Sequence, residues 1–307
     1  MTRMTIITPS YRPDFELCVD LNRSVLEFAP ECVEHQILVP RADFHLFASH
    51  LAGPRTHVRC REELLPTSFV RLPRTDFLLN LRWPFLPVRG WIEQQLVKLA
   101  AASHCKDDVV LIVDSDVQFV RSFDARTFTR DGAVRFYRLP NGVDARLPYH
   151  IRWHRSARTL MGLPAGSPPY ADYISSMVAC NPAVIRQMLA RVESSTGRPW
   201  ATAIAKQLHF SEWTLYGVFM EELAAPDAKA FVSDKPLCMG DWSTAFGKNE
   251  ADEFLAKLEP TDVAAMISSK TGTHVAVRRS AFNDWRARWS QTLTLAATFV
   301  THFAYGL

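Results

Sequence analysis

The chain has 307 residues, of which 48% are hydrophobic and 22% are charged. These proportions are typical of a globular protein that can bury a large core, and they exclude a disordered chain, a collagen and a small disulfide scaffold. There are 35 Lys and Arg residues against 32 Asp and Glu residues, a formal net charge of +3. Because no long basic run accompanies so small a charge, the composition predicts no nucleic-acid partner.

The six cysteines lie far apart and none forms a C-x-x-C pair. This spacing argues against a zinc ribbon or a thioredoxin-type site and favours reduced, buried thiols. The N-terminus carries no signal-peptide pattern, and no apolar run is long enough to cross a membrane. We therefore expect a cytoplasmic protein. The apolar run at residues 293–307 predicts a docking helix, with a membrane-surface contact as the less favoured alternative.

The first elements of the chain alternate between strand and helix patterns. A β-branched run at residues 4–11 predicts a buried strand that enters a loop, and Ile37, Leu38 and Val39 predict a second strand. Between them an apolar stripe predicts a helix: Leu17, Leu21, Val25 and Phe28. A further helix is expected at residues 42–50. The β-α-β-α order predicts a sheet covered by helices, whereas residues 54–87 are rich in Arg and Pro and predict irregular structure.

A strong helix is expected from Gly90, and a strand follows it at residues 109–113. Five consecutive apolar residues in that strand indicate burial on both faces of the sheet. Farther along, strands are expected at residues 133–139, 173–179 and 230–232, and a long loop is expected at residues 140–169. Asn181 followed by Pro182 predicts the start of one helix, and Ser211 predicts the start of another.

The pair of carboxylates in Asp114-Ser115-Asp116 directly follows the buried strand. Open α/β sheets bind ligands at the carboxyl ends of their strands. Carboxylates in such a place need compensation, which a hard divalent cation with oxygen ligands supplies while leaving positions for phosphate oxygens. The alternative is an acidic turn without a functional role.

Four segments together give the sequence a family resemblance. They are Thr8-Pro9-Ser10-Tyr11, the helix with Gly90-Trp91 and residues 94–99, the strand ending in Asp114-Ser115-Asp116, and the segment at residues 210–216. In this order they resemble GT-A-fold glycosyltransferases, in particular a bacterial branch of these enzymes. The resemblance covers roughly residues 1–225. It implies one α/β domain over residues 1–307 with a Rossmann-related mixed sheet and helices on both faces. Residues 1–120 would form the nucleotide-binding half, and residues 121–307 the acceptor-binding half with the C-terminal helices.

The same resemblance implies a function and a set of site residues. The protein would transfer a sugar from a nucleotide-diphosphate donor, a UDP-sugar first of all, to a hydroxyl group of a glycan or small molecule, using Mn²⁺ or Mg²⁺. Asp114, Asp116 and His274 would be metal ligands, and Glu212 the catalytic base with Asp172 in reserve. Donor contacts would come from a larger set: Thr8, Pro9, Ser10, Tyr11, Gln94, Lys98, Asp114 and Ser115.

Three other hypotheses remain open from the residues alone. In a haloacid-dehalogenase-like phosphatase, Asp114 would attack phosphate and Asp116 would protonate the leaving group. Val117 and Gln118 stand where that class has a Thr, and more than 100 residues precede the acidic pair. The second hypothesis is a sugar- or nucleotide-binding domain without catalysis. The third is a nucleotidyltransferase, although no Gly-rich phosphate loop lies near the first strand.

Overall fold

The computed structural model describes residues 2–72, 75, 77–225, 228 and 230–304, with side chains described as far as Trp289. The strands are β1 Met4–Pro9, β2 Glu34–Val39, β3 Thr56–Cys60, β4 Phe69–Arg71, β5 Leu78–Asn80, β6 Val109–Val113, β7 Val117–Phe119, β8 Thr129–Arg130, β9 Ala133–Tyr137, β10 Leu139–Val143, β11 Tyr170–Asp172, β12 Met177–Cys180, β13 Ala230–Ser233, β14 Cys238–Asp241 and β15 Ala264–Ile267. The helices are α1 Phe15–Phe28, α2 Phe44–Leu51, α3 Gly90–His104, α4 Pro148–Leu160, α5 Pro182–Thr196, α6 Trp200–Ala205, α7 Glu212–Glu222, α8 Lys248–Leu255 and α9 Val275–Ala304.

A five-stranded sheet with the order β12-β6-β1-β2-β3 lies at the centre of the fold. Strands β6, β1, β2 and β3 are parallel, and β12 pairs with β6 in the antiparallel sense. A second sheet has the order β14-β15-β7. Its strand β7 starts at Val117, so only residues 114–116 separate it from β6 along the chain. The fold is therefore α/β with a mixed sheet, as predicted.

Strand β6 is buried on both faces, and its side chains enter two different cores. Val109, Leu111 and Val113 pack in the core that contains Leu21 of α1. Val110 and Ile112 pack in the core that contains Leu96 of α3, because successive strand side chains point to opposite faces. Burying each such side chain contributes about 1.5–3 kcal/mol, so the strand and the loop after it are held firmly between two layers of helices.

Several elements match the sequence predictions closely. The strands β1, β2, β6 and β13 and the helices α1, α2 and α3 lie where the apolar patterns placed them. The side chain of Asn181 accepts the backbone N–H of Ala183 at the start of α5, and Gly197 ends that helix with φ +62°. Ser211 accepts the backbone N–H of Thr214 at the start of α7. All six cysteines are free thiols.

Three predictions about local structure are wrong. Residues 54–87 are not irregular, because Thr56–Cys60 forms the edge strand of the central sheet and Phe69–Arg71 pairs with Leu78–Asn80. Residues 140–169 are not a loop, since they hold the 13-residue helix α4 with Pro148 in its first turn. The strand expected at residues 173–179 is interrupted, and only Met177–Cys180 of it joins the central sheet.

The C-terminal helix α9 runs from Val275 to Ala304. The side chains of the predicted docking segment at residues 293–307 lie outside the described residues. Within the described residues, no helix is both long and apolar enough to cross a membrane.

Candidate functional site

The candidate site lies outside the carboxyl ends of β1 and β6, which are neighbours in the sheet. The chain moves from β1 to β2 and β3 on one side and returns to β6 on the other. Such a change of direction opens a crevice between the strand ends in α/β sheets. Ser10 and Tyr11 follow β1, and the acidic pair follows β6, so two of the predicted segments meet here. A hydrogen bond of 3.4 Å from the Ser115 hydroxyl to Asp14 joins the two loops.

Lys98 connects two carboxylates that are far apart in the sequence. Its Nζ atom lies 2.9 Å from Oδ1 of Asp114 and 3.1 Å from Oε1 of Glu212. The side chains of Lys98 and Glu212 are 5% and 2% exposed, whereas that of Asp114 is 45% exposed. The Asp114 carboxylate is therefore partly exposed to solvent, while the buried ammonium of Lys98 contacts its Oδ1 atom.

The pKa shifts of this trio follow from burial and charge. Burial alone would lower the pKa of Lys98, but the carboxylates of Asp114 and Glu212 outweigh it and raise that pKa. Burial raises the pKa of Glu212, and Lys98 opposes the shift. Lys98 is thus a permanent positive charge behind the exposed carboxylate.

Asp116 accepts a hydrogen bond from the loop at residues 268–273, which precedes helix α9. Its Oδ2 atom accepts the backbone N–H of Ser269 at 2.7 Å. The buried guanidinium of Arg278 anchors this loop by donating to the carbonyl groups of Ile267, Ser268 and Thr273. The loop carries Lys270 to the same edge, where its ammonium lies 5.2 Å from the centre of the Trp91 ring.

Three carboxylates share this edge of the sheet: Asp14, Asp114 and Asp116. Burial and the neighbouring charge of Asp114 raise the pKa of Asp116 to about 6, against the hydrogen bond from Ser269. The pKa of Asp14 is also raised, first by burial and then by Asp114, while the hydrogen bond from Ser115 lowers it. Mutual repulsion of this kind favours binding of a positive charge.

The residues present fit a divalent cation in part. Carboxylate oxygens of Asp114 and Asp116 are ligands of the type that Mg²⁺ and Mn²⁺ prefer. Within the described residues, however, no three His, Cys, Asp or Glu side chains are arranged to hold a metal ion by themselves. A cation at this site would need further oxygen ligands from a substrate or water.

The residues of the β1 segment differ widely in accessibility. Thr8 is completely buried in β1, and its hydroxyl lies 2.9 Å from Nε2 of His35, whose Nδ1 lies 2.8 Å from Asn22. Pro9 and Ser10 are buried as well, and Tyr11 is exposed. Of this segment, only the Tyr11 side chain is freely accessible to a ligand.

A row of aromatic rings leads from the acidic crevice to Asp172. Nε1 of Trp91 donates to the carbonyl of Phe210 at 2.8 Å, and its ring stacks on Trp153 with the centroids 6.2 Å apart. Trp153 contacts His150 at a centroid distance of 4.4 Å. Nδ1 of His150 lies 3.6 Å from Oδ1 of Asp172. The two predicted catalytic carboxylates thus lie on different elements, Glu212 beside Lys98 and Asp172 at the far end of the aromatic row.

Two further predicted residues, His274 and Gln94, make no described contact with the acidic pair. His274 is exposed at the end of the Ser269 loop, and its Nδ1 accepts the backbone N–H of Ala276 at 3.3 Å. Gln94 is half-buried on α3, four residues before Lys98. The metal role of His274 and the donor role of Gln94 remain predictions.

Asp14, Ser269 and Lys270 also lie in the site, although no sequence prediction named them. Asp14 comes four residues after Ser10, and its position just beyond the first strand was a usable signal. Ser269 acts through its backbone amide, which has no sequence signature.

A family model described as a family of unknown function, DUF6492, matches residues 5–287. The chain belongs to the DUF6492 family. The match spans every residue of the site in this DUF6492 protein, from Thr8 to Arg278. No curated protein matches the chain.

Proposed function

We propose that this protein is a metal-dependent glycosyltransferase that moves a sugar from a nucleotide-diphosphate donor to a hydroxyl acceptor. The supporting observation is the exposed Asp114, held by buried Lys98 beside Asp116 at the crevice between β1 and β6. A UDP-sugar is the first donor to test, and Mn²⁺ or Mg²⁺ the first cation. The nucleotide would lie against the loop after β1, with Tyr11 as its exposed side chain.

The proposed cation would be held by Asp114 and Asp116 together with diphosphate oxygens of the donor. When bound, it would stabilise negative charge on the departing nucleoside diphosphate. The chain itself supplies two further positive charges near this place, Lys98 and Lys270. Preorganised charges of this kind stabilise a leaving group without reorganisation during the reaction.

The proposal gives the two candidate bases different roles. Glu212 is buried and in contact with Lys98, so it is suited to position that ammonium against Asp114. Asp172 lies beside His150 at the far end of the aromatic row, and the partly exposed Trp91 forms its near end beside Lys270. We therefore propose that the acceptor binds along the aromatic row, with Asp172 as a contact to its far end.

The first test is a thermal-shift panel of UDP-, GDP- and dTDP-sugars, each with and without Mn²⁺. A donor present at 100 times its Kd stabilises the folded state by about 2.7 kcal/mol. We expect a rise in Tm that needs both the cation and one donor, and that Asp114→Asn and Asp116→Asn abolish. Asp144→Asn is the matched control, because that exposed carboxylate pairs only with Arg146 among the contacts described.

A second measurement follows release of the nucleoside diphosphate from the donor that stabilises the protein. Asp116→Ala should lose metal-dependent sugar transfer while keeping the fold. If no sugar nucleotide stabilises the protein with Mn²⁺, or if Asp116→Asn responds as the native protein does, the proposal fails. Trapping a phosphoaspartate at Asp114 would instead establish the phosphatase hypothesis.

A further inference from the structure

An exposed apolar loop lies between the end of β5 and the start of α3. We define the apolar loop as residues 81–86, and it contains four large apolar side chains: Leu81, Trp83, Phe85 and Leu86. All four are exposed, with Phe85 at 75% and Leu86 at 64%. Phe77, just before β5, adds a fifth exposed apolar side chain. Single exposed apolar residues are ordinary, but a contiguous set indicates an interaction surface.

The apolar loop is held in place from inside the protein. Leu78 and Val88 form an antiparallel bridge that closes its base, and the backbone N–H of Val88 donates to Leu78. Asn80 is buried, donates to the Thr202 hydroxyl at 3.2 Å and accepts the backbone N–H of Arg82 at 3.1 Å. The loop therefore has a buried polar anchor and an apolar tip, so its exposure is part of the folded structure.

Two arginines and one lysine lie in or beside the apolar loop. Arg82 and Arg89 belong to the same segment, and Nζ of Lys206 lies 3.6 Å from the centre of the Trp83 ring. Arg89 also donates to the carbonyl of Leu208, which brings another exposed apolar side chain to the patch. Neither residues 77–92 nor residues 197–211 contain an Asp or Glu.

We infer that the apolar loop docks this protein on an anionic membrane surface. Trp, Leu and Phe at the tip suit the boundary between lipid headgroups and acyl chains, and the surrounding cations suit acidic headgroups. A second copy of the chain is a poorer occupant, because a symmetric contact would bring the same three cations together. This inference does not depend on the proposed function.

The test measures binding of the full chain to phosphatidylcholine vesicles with and without phosphatidylglycerol, by flotation. We expect binding only to the anionic vesicles. Phe85→Ser with Leu86→Ser should abolish it, whereas Val232→Ser should not. Val232 is 60% exposed on β13 and is the matched apolar control. Since both changed sites face solvent, unchanged melting curves will confirm the fold of each variant.

Charge and insertion are tested separately. Arg82→Gln and Lys206→Gln should each lower the vesicle partition coefficient about fivefold, the change that about 1 kcal/mol per cation produces. Brominated lipids should quench tryptophan fluorescence less in Trp83→Phe than in the native protein. The inference fails if anionic vesicles do not bind the chain, or if the loop variants bind unchanged. If the chain does not bind vesicles but forms concentration-dependent dimers that Phe85→Ser removes, the loop binds a second copy of the chain instead. If the chain neither binds vesicles nor forms such dimers, the loop binds a protein partner instead.

Discussion

The backbone amide of Ser269 donates a 2.7 Å hydrogen bond to Asp116, a residue 153 positions earlier in the chain. The acidic pair after β6 is therefore oriented by a loop from the far end of the domain. That loop is in turn held by Arg278, which is buried and donates to the backbone carbonyl groups of Ile267, Ser268 and Thr273. The position of the Ser269 amide at the candidate site therefore depends on this guanidinium.

Replacing Arg278 should consequently disturb both stability and the site. In Arg278→Met the carbonyl groups of Ile267, Ser268 and Thr273 lose their donor, and an unsatisfied buried acceptor costs about 1–3 kcal/mol. We expect urea unfolding to show a loss of at least about 3 kcal/mol. Arg146→Gln, on an exposed arginine, should leave the unfolding midpoint unchanged. Equal stability of the two variants would contradict the anchoring role.

Lys98 and Glu212 make a second testable pair. Removing one partner of a buried ion pair costs about 3–5 kcal/mol, because the other charge is left uncompensated, whereas replacing both by apolar residues is often nearly neutral. Lys98→Met should therefore lower the free energy of unfolding by about 3–5 kcal/mol. Lys98→Met with Glu212→Leu should recover most of that loss. Additive losses in the double variant would show that the two side chains do not compensate each other.

His35 should make stability depend on pH. Burial lowers the pKa of His35 to about 3, from an ordinary value of 6.5. Between these values the unfolded chain binds a proton that the folded protein excludes, so stability is complete above pH 6.5 and falls as the pH drops toward 3. Each pH unit in this window should cost about 1.4 kcal/mol.

The variant His35→Gln isolates this contribution. It keeps a polar group near Thr8 and Asn22 but cannot titrate, so it should lose less stability than the native protein between pH 6 and pH 4, by about 2–3 kcal/mol. The measurement is the free energy of unfolding in urea at each pH. His154, whose pKa is also lowered by burial, is unchanged in both proteins and cancels in the comparison. Parallel pH profiles would argue against a neutral buried His35.

The central sheet and its acidic edge could be predicted because their signals are local. Five consecutive apolar residues fixed β6, and the carboxylates directly after it lie at the sheet's ligand-binding edge. Helix α4 lies in a segment whose glycines, Gly142, Gly162 and Gly166, predict a loop, although Pro148 suits the first turn of a helix.

The sequence predicts Lys98, Glu212 and Asp172 as site residues but not their contacts, which form between distant segments. Lys98 and Glu212 come together only when α3 and α7 pack, and a backbone amide such as that of Ser269 has no side chain to mark it. Asp172 and Trp91 lie 81 positions apart in the sequence. They are connected through Trp153 and His150, which belong to helix α4, in a segment for which the sequence predicts a loop.

Gly217 in α7 should reverse the usual effect of a helical Gly-to-Ala change. In an open helix this change stabilises by about 1 kcal/mol. Here an added Cβ would lie 2.2 Å from Cγ of Tyr173. Tyr173 cannot withdraw easily, because its ring stacks on Phe136 and its hydroxyl donates to Glu221 at 2.5 Å. We therefore expect Gly217→Ala to lower the free energy of unfolding by about 1–3 kcal/mol or more.

Two comparisons separate this clash from a general effect of alanine. Gly90→Ala, at the start of α3, adds a Cβ with no atom within 4 Å and should leave stability equal or higher. In a Tyr173→Ala background the obstructing ring is gone, so Gly217→Ala should become neutral or stabilising. Urea unfolding of the four proteins in this cycle measures the coupling directly. A Gly217→Ala variant as stable as the native protein would mean that α7 and Tyr173 are not packed this closely. The added Cβ would meet the ring itself, which cannot move aside as the end of a flexible side chain could.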